Sequence, residues 1–168
     1  MISDKLIARV KERFPHAKAI FGAPPKPSVV FPALHPEVGD IEIYDDGSEL
    51  TLIAGHFTHS HFSDYDNKSN DESEQAIVND LIAFLERLFT NQVILWGSHN
   101  SGGGWYNRDG TDCKNPELES MKQVKQLYVW SGPLRGGAAD SEDAQSARPE
   151  APERNIGGFA IIGQGPKA

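Results

Sequence analysis

Hydrophobic and polar residues alternate most regularly between Gly39 and Ala54, in the run GDIEIYDDGSELTLIA. With Asp46-Gly47 as a two-residue turn, Ile43 falls opposite Leu50 and Ile41 opposite Leu52, so four aliphatic side chains share one face. Glu42, Tyr44, Glu49 and Thr51 take the other. This is the pattern of an antiparallel hairpin packed on one side and solvated on the other. Gly47 suits the turn because a type I′ geometry needs positive φ at both central positions, which glycine adopts without strain and aspartate tolerates.

Two stretches follow a helical period instead. Leu6, Ile7, Val10 and Phe14 predict a helix over 3–14, capped by Ser3, with Lys5, Arg9, Lys11 and Arg13 on or beside its outer surface and Pro15 as the stop. A wider stripe, Ile77, Leu81, Phe84, Leu85 and Leu88 flanked by Val78, Ile82 and Phe89, predicts a long amphipathic helix over 74–90. The polar residues 63–72 before it read as a solvated loop. QVILWG at 92–97 is the continuous apolar run of a central strand, with 104–108 as its hairpin return, and QLYVW at 126–130 is a further strand. Val29-Val30-Phe31 forms a short strand after the stiff connector Pro24 to Pro27, and Asn115-Pro116-Glu117 opens a short helix.

The expected fold is therefore α+β: an antiparallel sheet holding hairpin 39–54, central strand 92–97 and strand 126–130, packed against helix 74–90, with helix 3–14 at one edge. Residues 1–130 make one globular domain. From Ser131 the composition turns to Gly, Ala and Pro, so 131–168 reads as a flexible tail carrying one apolar island at 159–162.

Composition narrows the classes of function. A hydrophobic fraction of 38% and a mean hydropathy of -0.47 describe a soluble protein, and no run approaches the ~20 apolar residues a membrane helix needs. The N-terminus lacks the unbroken apolar segment of a signal peptide, so cytoplasmic residence is expected. The single cysteine, Cys113, excludes an internal disulfide framework and reads as a loop thiol rather than a nucleophile. The net charge is -8, with eleven acids against one base between Glu37 and Glu74, and six bases against two acids in residues 1–30. That field repels nucleic acid and attracts a basic protein partner.

Candidate chemistry gathers in three places. Glu42, Asp45, Asp46 and Glu49 make the hairpin an acidic interaction surface. His56, His59 and His61, with Asp64 behind them, form an H-x-x-H-x-H group that suggests a divalent transition metal such as zinc. His59 and His61, two apart on a strand, point the same way, and a carboxylate would complete a hydrolytic centre. The spacing differs from the His-x-His-x-Asp-His pattern of the metallo-β-lactamases. An unbroken strand puts Ala54 and His56 on the core face and His59 and His61 on the other, whereas a bulge at Gly55 exchanges them. Third, the glycine-rich loop near His99, with Trp96, Trp105 and Tyr106, suggests a small-ligand site, although neither a P-loop nor a serine-hydrolase elbow fits it. The acidic residues at 64–72 lack the glycine and closing glutamate of an EF-hand. The leading expectation is a non-enzymatic, immunity-like binding or regulatory protein without a cofactor, presenting its acidic hairpin to a basic partner. A metal-dependent hydrolase built on the histidines is the alternative.

Overall fold

The computed structural model describes residues 1–65, 69–98, 102–109 and 126–134. The elements run α1 (Ile2–Arg13), β1 (Ile20–Phe21), β2 (Val29–Phe31), β3 (Ile41–Asp45), β4 (Leu50–Ala54), β5 (Thr58–Phe62), α2 (Asn70–Phe89), β6 (Val93–Ser98), β7 (Gly102–Asn107), β8 (Leu127–Val129) and β9 (Gly132–Pro133). The class is α+β as expected, but the strands divide between two antiparallel sheets, ordered β1-β2-β3-β4-β5 and β7-β6-β8-β9. The reason lies in α2, which buries Ile77, Val78, Leu81, Ile82, Phe84, Leu85 and Leu88. That arc is wider than one sheet can cover. α1, β4, β5 and β6 all pack on it, and the sheets meet at side chains, where Trp105 Nε1 donates to Ser60 Oγ at 2.7 Å.

The hairpin forms, with a corrected register. Ile43 pairs with Leu52, Ile41 with Ala54 and Asp45 with Leu50, so the loop is Asp46 to Glu49 and not Asp46-Gly47 alone. Only Gly47 has positive φ, at 88°. Asp45 Oδ1 accepts the Gly47 N–H at 2.9 Å, and the Asp46 N–H donates to the Glu49 carbonyl at 3.1 Å. These bonds favour the longer loop over a type I′ turn. Because the slip is an even number of residues, every side chain keeps its face, and Ile41, Ile43, Leu50 and Leu52 are fully buried.

Helix α1 begins at Ile2, and Ser3 does not cap it. Met1 stands at the cap position without a side-chain bond, while Ser3 is buried and its N–H donates to Asp45 Oδ2 at 3.1 Å. Helix α2 starts a turn before the expected position, inside the stretch read as loop. The Ser69 hydroxyl accepts the Glu72 N–H at 3.4 Å, and Glu72 Oε2 accepts the Ser69 N–H at 3.3 Å, a complete capping box.

Two of the cations expected on the outside of α1 reach across to α2. Lys5 Nζ lies 2.6 Å from Asp71 Oδ1 and 2.9 Å from Glu74 Oε2, and Arg13 pairs with Glu86. Early residue with early, late with late: the two helices run side by side in the same direction. The hydrogen bond from Lys5 holds the Asp71 carboxyl below its ordinary 3.8. The bonds to Asp71 and then Glu74 hold the Lys5 ammonium above its ordinary 10.5. A depressed carboxyl stabilises the fold above its unfolded value and loses that effect as pH falls through the folded one; a raised ammonium is the mirror case. Lys5→Met is therefore expected to melt below wild type from pH 5 to 9, with the gap closing below pH 3.8 and again above 10.5. Because Asp71 is 89% exposed, ~1 M salt should shrink the gap at neutral pH. A melting-temperature series against pH checks both.

One core joins Ile2, Leu6 and Val10 of α1, the inward aliphatics of β2 to β4, the α2 stripe, and Val93 and Leu95 of β6. Among the described residues no helix is long and apolar enough to cross a membrane. The helix expected from Asn115, Cys113, His99 and the 159–162 island lie outside the described residues.

Candidate functional site

Both helices cover the same face of the five-stranded sheet, since their buried residues share a core with Val29, Phe31, Ile41, Ile43, Leu50 and Leu52. Alternation then turns Val30, Glu42, Tyr44, Thr51, Ile53, His59 and His61 to the opposite face. The strand registers align these into rows. Ile20, Val30, Glu42, Ile53 and His59 cross all five strands in line, and Tyr44, Thr51 and His61 form the next row. Ile20 is 59% exposed, His59 and His61 are exposed, and the row between them is half-buried. The result is a sheet surface on which aliphatic Val30 and Ile53 flank Glu42 on the middle strand.

Hydrogen bonds order the polar part of this surface. Tyr44 Oη donates to Glu42 Oε2 at 2.6 Å, and that bond, followed by burial, raises the Tyr44 phenol above its ordinary 10.0. Thr51 Oγ1 donates its only proton to Asp46 Oδ2 at 2.6 Å. His61 Nδ1 lies 3.1 Å from Thr51 Oγ1 and 3.1 Å from Glu49 Oε1. Both of those oxygens can only accept, so Nδ1 of His61 is the donor to them. The rings of His59 and His61 meet edge to face, 5.1 Å between centroids.

The four hairpin carboxylates divide by role. Asp45 has both oxygens engaged, one by the Ser3 N–H and one by the Gly47 N–H. It sets the N-terminus of α1 and the hairpin loop. Glu42, Asp46 and Glu49 remain on the outer sheet face or its rim. Beyond Ala54 the strand neither continues nor bulges. The chain turns at Gly55, His56 and Phe57 and returns as β5, with His59 opposite Ile53 and His61 opposite Thr51. Thus His59 and His61 are brought together, while His56 sits in the turn before β5, and Asp64 follows β5 in a depression lined by Gly47, Ser48, Asn70, Ser73 and Glu74. Among the described residues no three His, Cys, Asp or Glu side chains are grouped to hold a metal ion.

The aromatics of the glycine-rich hairpin do not converge either. Trp105 packs on Phe84, 4.8 Å between ring centroids. Trp96 and Tyr106 lie on the other face of their sheet by alternation, as Trp96 pairs with Gly104 and Tyr106 with Ile94. A Cβ at Gly104 would come within 3.0 Å of the Trp96 ring, so that glycine serves close packing.

A depression of about 410 Å³, lined by Ala33, Pro36, Gly39, Asp40, Glu42, Ile53, Gly55 and His56, opens on the outer sheet face. Its walls are the 33–40 loop and the β4–β5 turn, laced by His56 N–H to the Val38 carbonyl at 3.0 Å and Gly55 N–H to the Asp40 carbonyl at 3.0 Å. Asp40 Oδ1 also accepts the Ala33 N–H at 2.8 Å. Sequence reasoning missed this feature. Its one signal is the pair Gly39 and Gly55, at φ 83° and 52°. No family model, no curated protein and no solved structure matches the chain.

Proposed function

We propose that this chain is a non-enzymatic binding or regulatory protein that presents the outer face of its five-stranded sheet to a basic protein partner. The observation carrying this reading is the row from Ile20 to His59: Ile20, Val30 and Ile53 on a broad face with Glu42 among them on the middle strand, and Asp46 and Glu49 toward its rim. Ile20, Val30 and Ile53 supply area to bury, and the carboxylates steer a cationic surface toward it and reject acidic ones. Both helices bury their apolar stripes on the opposite side, which leaves the binding face independent of the core.

The test is affinity capture at about 50 mM and about 500 mM salt, comparing wild type with the triple variant Glu42→Lys, Asp46→Lys, Glu49→Lys. Captured proteins are identified and the association rate of the tightest is measured. Wild type is expected to retain basic proteins at low salt only, with the triple variant associating at least about tenfold more slowly. Asp45→Asn should lower the melting temperature and leave the association rate unchanged. Recovery of no basic protein at low salt, or equal recovery by the triple variant, overturns the reading.

A further inference from the structure

The depression beside Glu42 has the form of a receptacle for one long cationic side chain. Its volume of about 410 Å³ corresponds to the liquid share of roughly a dozen waters, enough for such a side chain and a few waters with it. Ala33, Pro36 and Ile53 line it with apolar surface, suited to the methylene stem of arginine or lysine, which buries its carbons while keeping its head group polar. Glu42 supplies the opposing charge. Its Oε2 is held by the Tyr44 hydroxyl at 2.6 Å. That bond fixes the carboxylate and leaves Oε1 to accept from an incoming donor.

The walls are set before any ligand arrives. Gly39 and Gly55 adopt positive φ and let the two loops touch backbone to backbone, joined by the bonds from Gly55 N–H and His56 N–H. A pocket ordered in advance loses little freedom on binding. Of the two cations, arginine fits better. Its planar fork of five donors reaches more than one acceptor from a single position, and it gives up its weaker hydration more readily than an ammonium does.

Resting on the reading of this sheet face as the surface for a basic partner, we propose that the depression receives one arginine side chain of that partner, with Glu42 as its counter-charge. The arginine is then the central anchor of the interface, and Asp46 and Glu49 act at its edge. Central, desolvated anchors carry a larger share of affinity than rim charges do.

The probe is N-acetyl-arginine methylamide, titrated at low salt into ¹⁵N-labelled protein. Shifts are expected at the amides of Ala33, Gly39, Gly55 and His56, saturating near ~1–10 mM, as one charge-assisted contact allows. Glu42→Gln keeps an oxygen for Tyr44 and should weaken binding at least about fivefold, while Glu49→Gln should not. Ala33→Leu narrows the cavity without touching the carboxylate and should weaken binding to a similar degree. The melting temperature of each variant confirms its fold. Shifts elsewhere, equal binding by Glu42→Gln and Ala33→Leu, or equally tight binding of N-acetyl-lysine methylamide would each overturn the arginine pocket. An arginine-rich decapeptide separates this inference from its parent. If it shifts Thr51, His59 and His61 but not the pocket amides, the anchor alone falls; if it shifts nothing on the sheet face, the parent reading falls with it.

Discussion

Gly55→Ala is expected to destabilise the domain by at least about 3 kcal/mol, and to unfold it near physiological temperature. At this position a Cβ would stand 1.7 Å from the Val38 carbonyl oxygen and 2.8 Å from its carbon. The obstacle is backbone, so no rotamer change relieves it. Either the 33–40 loop retreats, breaking the His56 N–H bond to Val38 and the Gly55 N–H bond to Asp40, or the glycine abandons its φ of 52°. The left-handed conformation alone costs alanine about 1–2 kcal/mol, and the two backbone bonds add about 1 kcal/mol each. Gly47 is the control. It has φ 88°, but a Cβ there meets nothing within 4 Å, so Gly47→Ala should cost only the conformational ~1–2 kcal/mol. Urea unfolding of both variants measures the contrast, and a Gly55→Ala protein as stable as Gly47→Ala would refute the close approach.

Phe84→Ala is expected to cost about 3–5 kcal/mol, the range for truncating a buried phenylalanine. Phe84 is 1% exposed and stands between the two sheets, 5.7 Å from the Phe62 ring and 4.8 Å from the Trp105 ring, both edge to face. Its removal opens a cavity where β5 and β7 meet, beside the bond that ties Trp105 to Ser60. A second signal should accompany the loss of stability: Trp105 emission shifts to longer wavelength as water reaches its ring. Phe84→Leu should recover roughly half of the loss. A loss below about 1.5 kcal/mol, or unchanged emission, would show that the sheets are joined elsewhere.

Local pattern carried much of the fold. The two helices, the hairpin and the faces of Ile41, Ile43, Leu50 and Leu52 follow from periodicity, which acts over a few residues. The division into two sheets does not, because it depends on how wide an arc α2 buries against partners far away in sequence. The hairpin loop departs from a two-residue turn because Asp45 has two competing uses, one local, accepting the Gly47 N–H, and one distant, accepting the Ser3 N–H. The start of α2 was legible: Ser69-Asn70-Asp71-Glu72 carries the capping-box spacing, and the surrounding polarity masked it. Of the candidate site, the acidic hairpin face and the pairing of His59 with His61 could be read from alternation. The depression beside Glu42 could not, since it arises where a glycine in one loop meets a glycine in another, with no shared local pattern.

The parallel arrangement of α1 and α2 also sets the order in which the protein can assemble during synthesis. Lys5 finds its partners in Asp71 and Glu74, and Arg13 finds Glu86, so the first helix made closes against nearly the last turn of the second. At ribosomal speeds of about 5–20 residues per second, the 73 residues from Arg13 to Glu86 take roughly 4 to 15 s to appear. A 12-residue helix is marginal by itself in water. Throughout that interval Ile2, Leu6 and Val10 have no finished core to enter. The α1 segment thus stays open to a chaperone until α2 has been made, and the later chain still has to add Val93, Leu95 and Trp130 to the core that the two helices share.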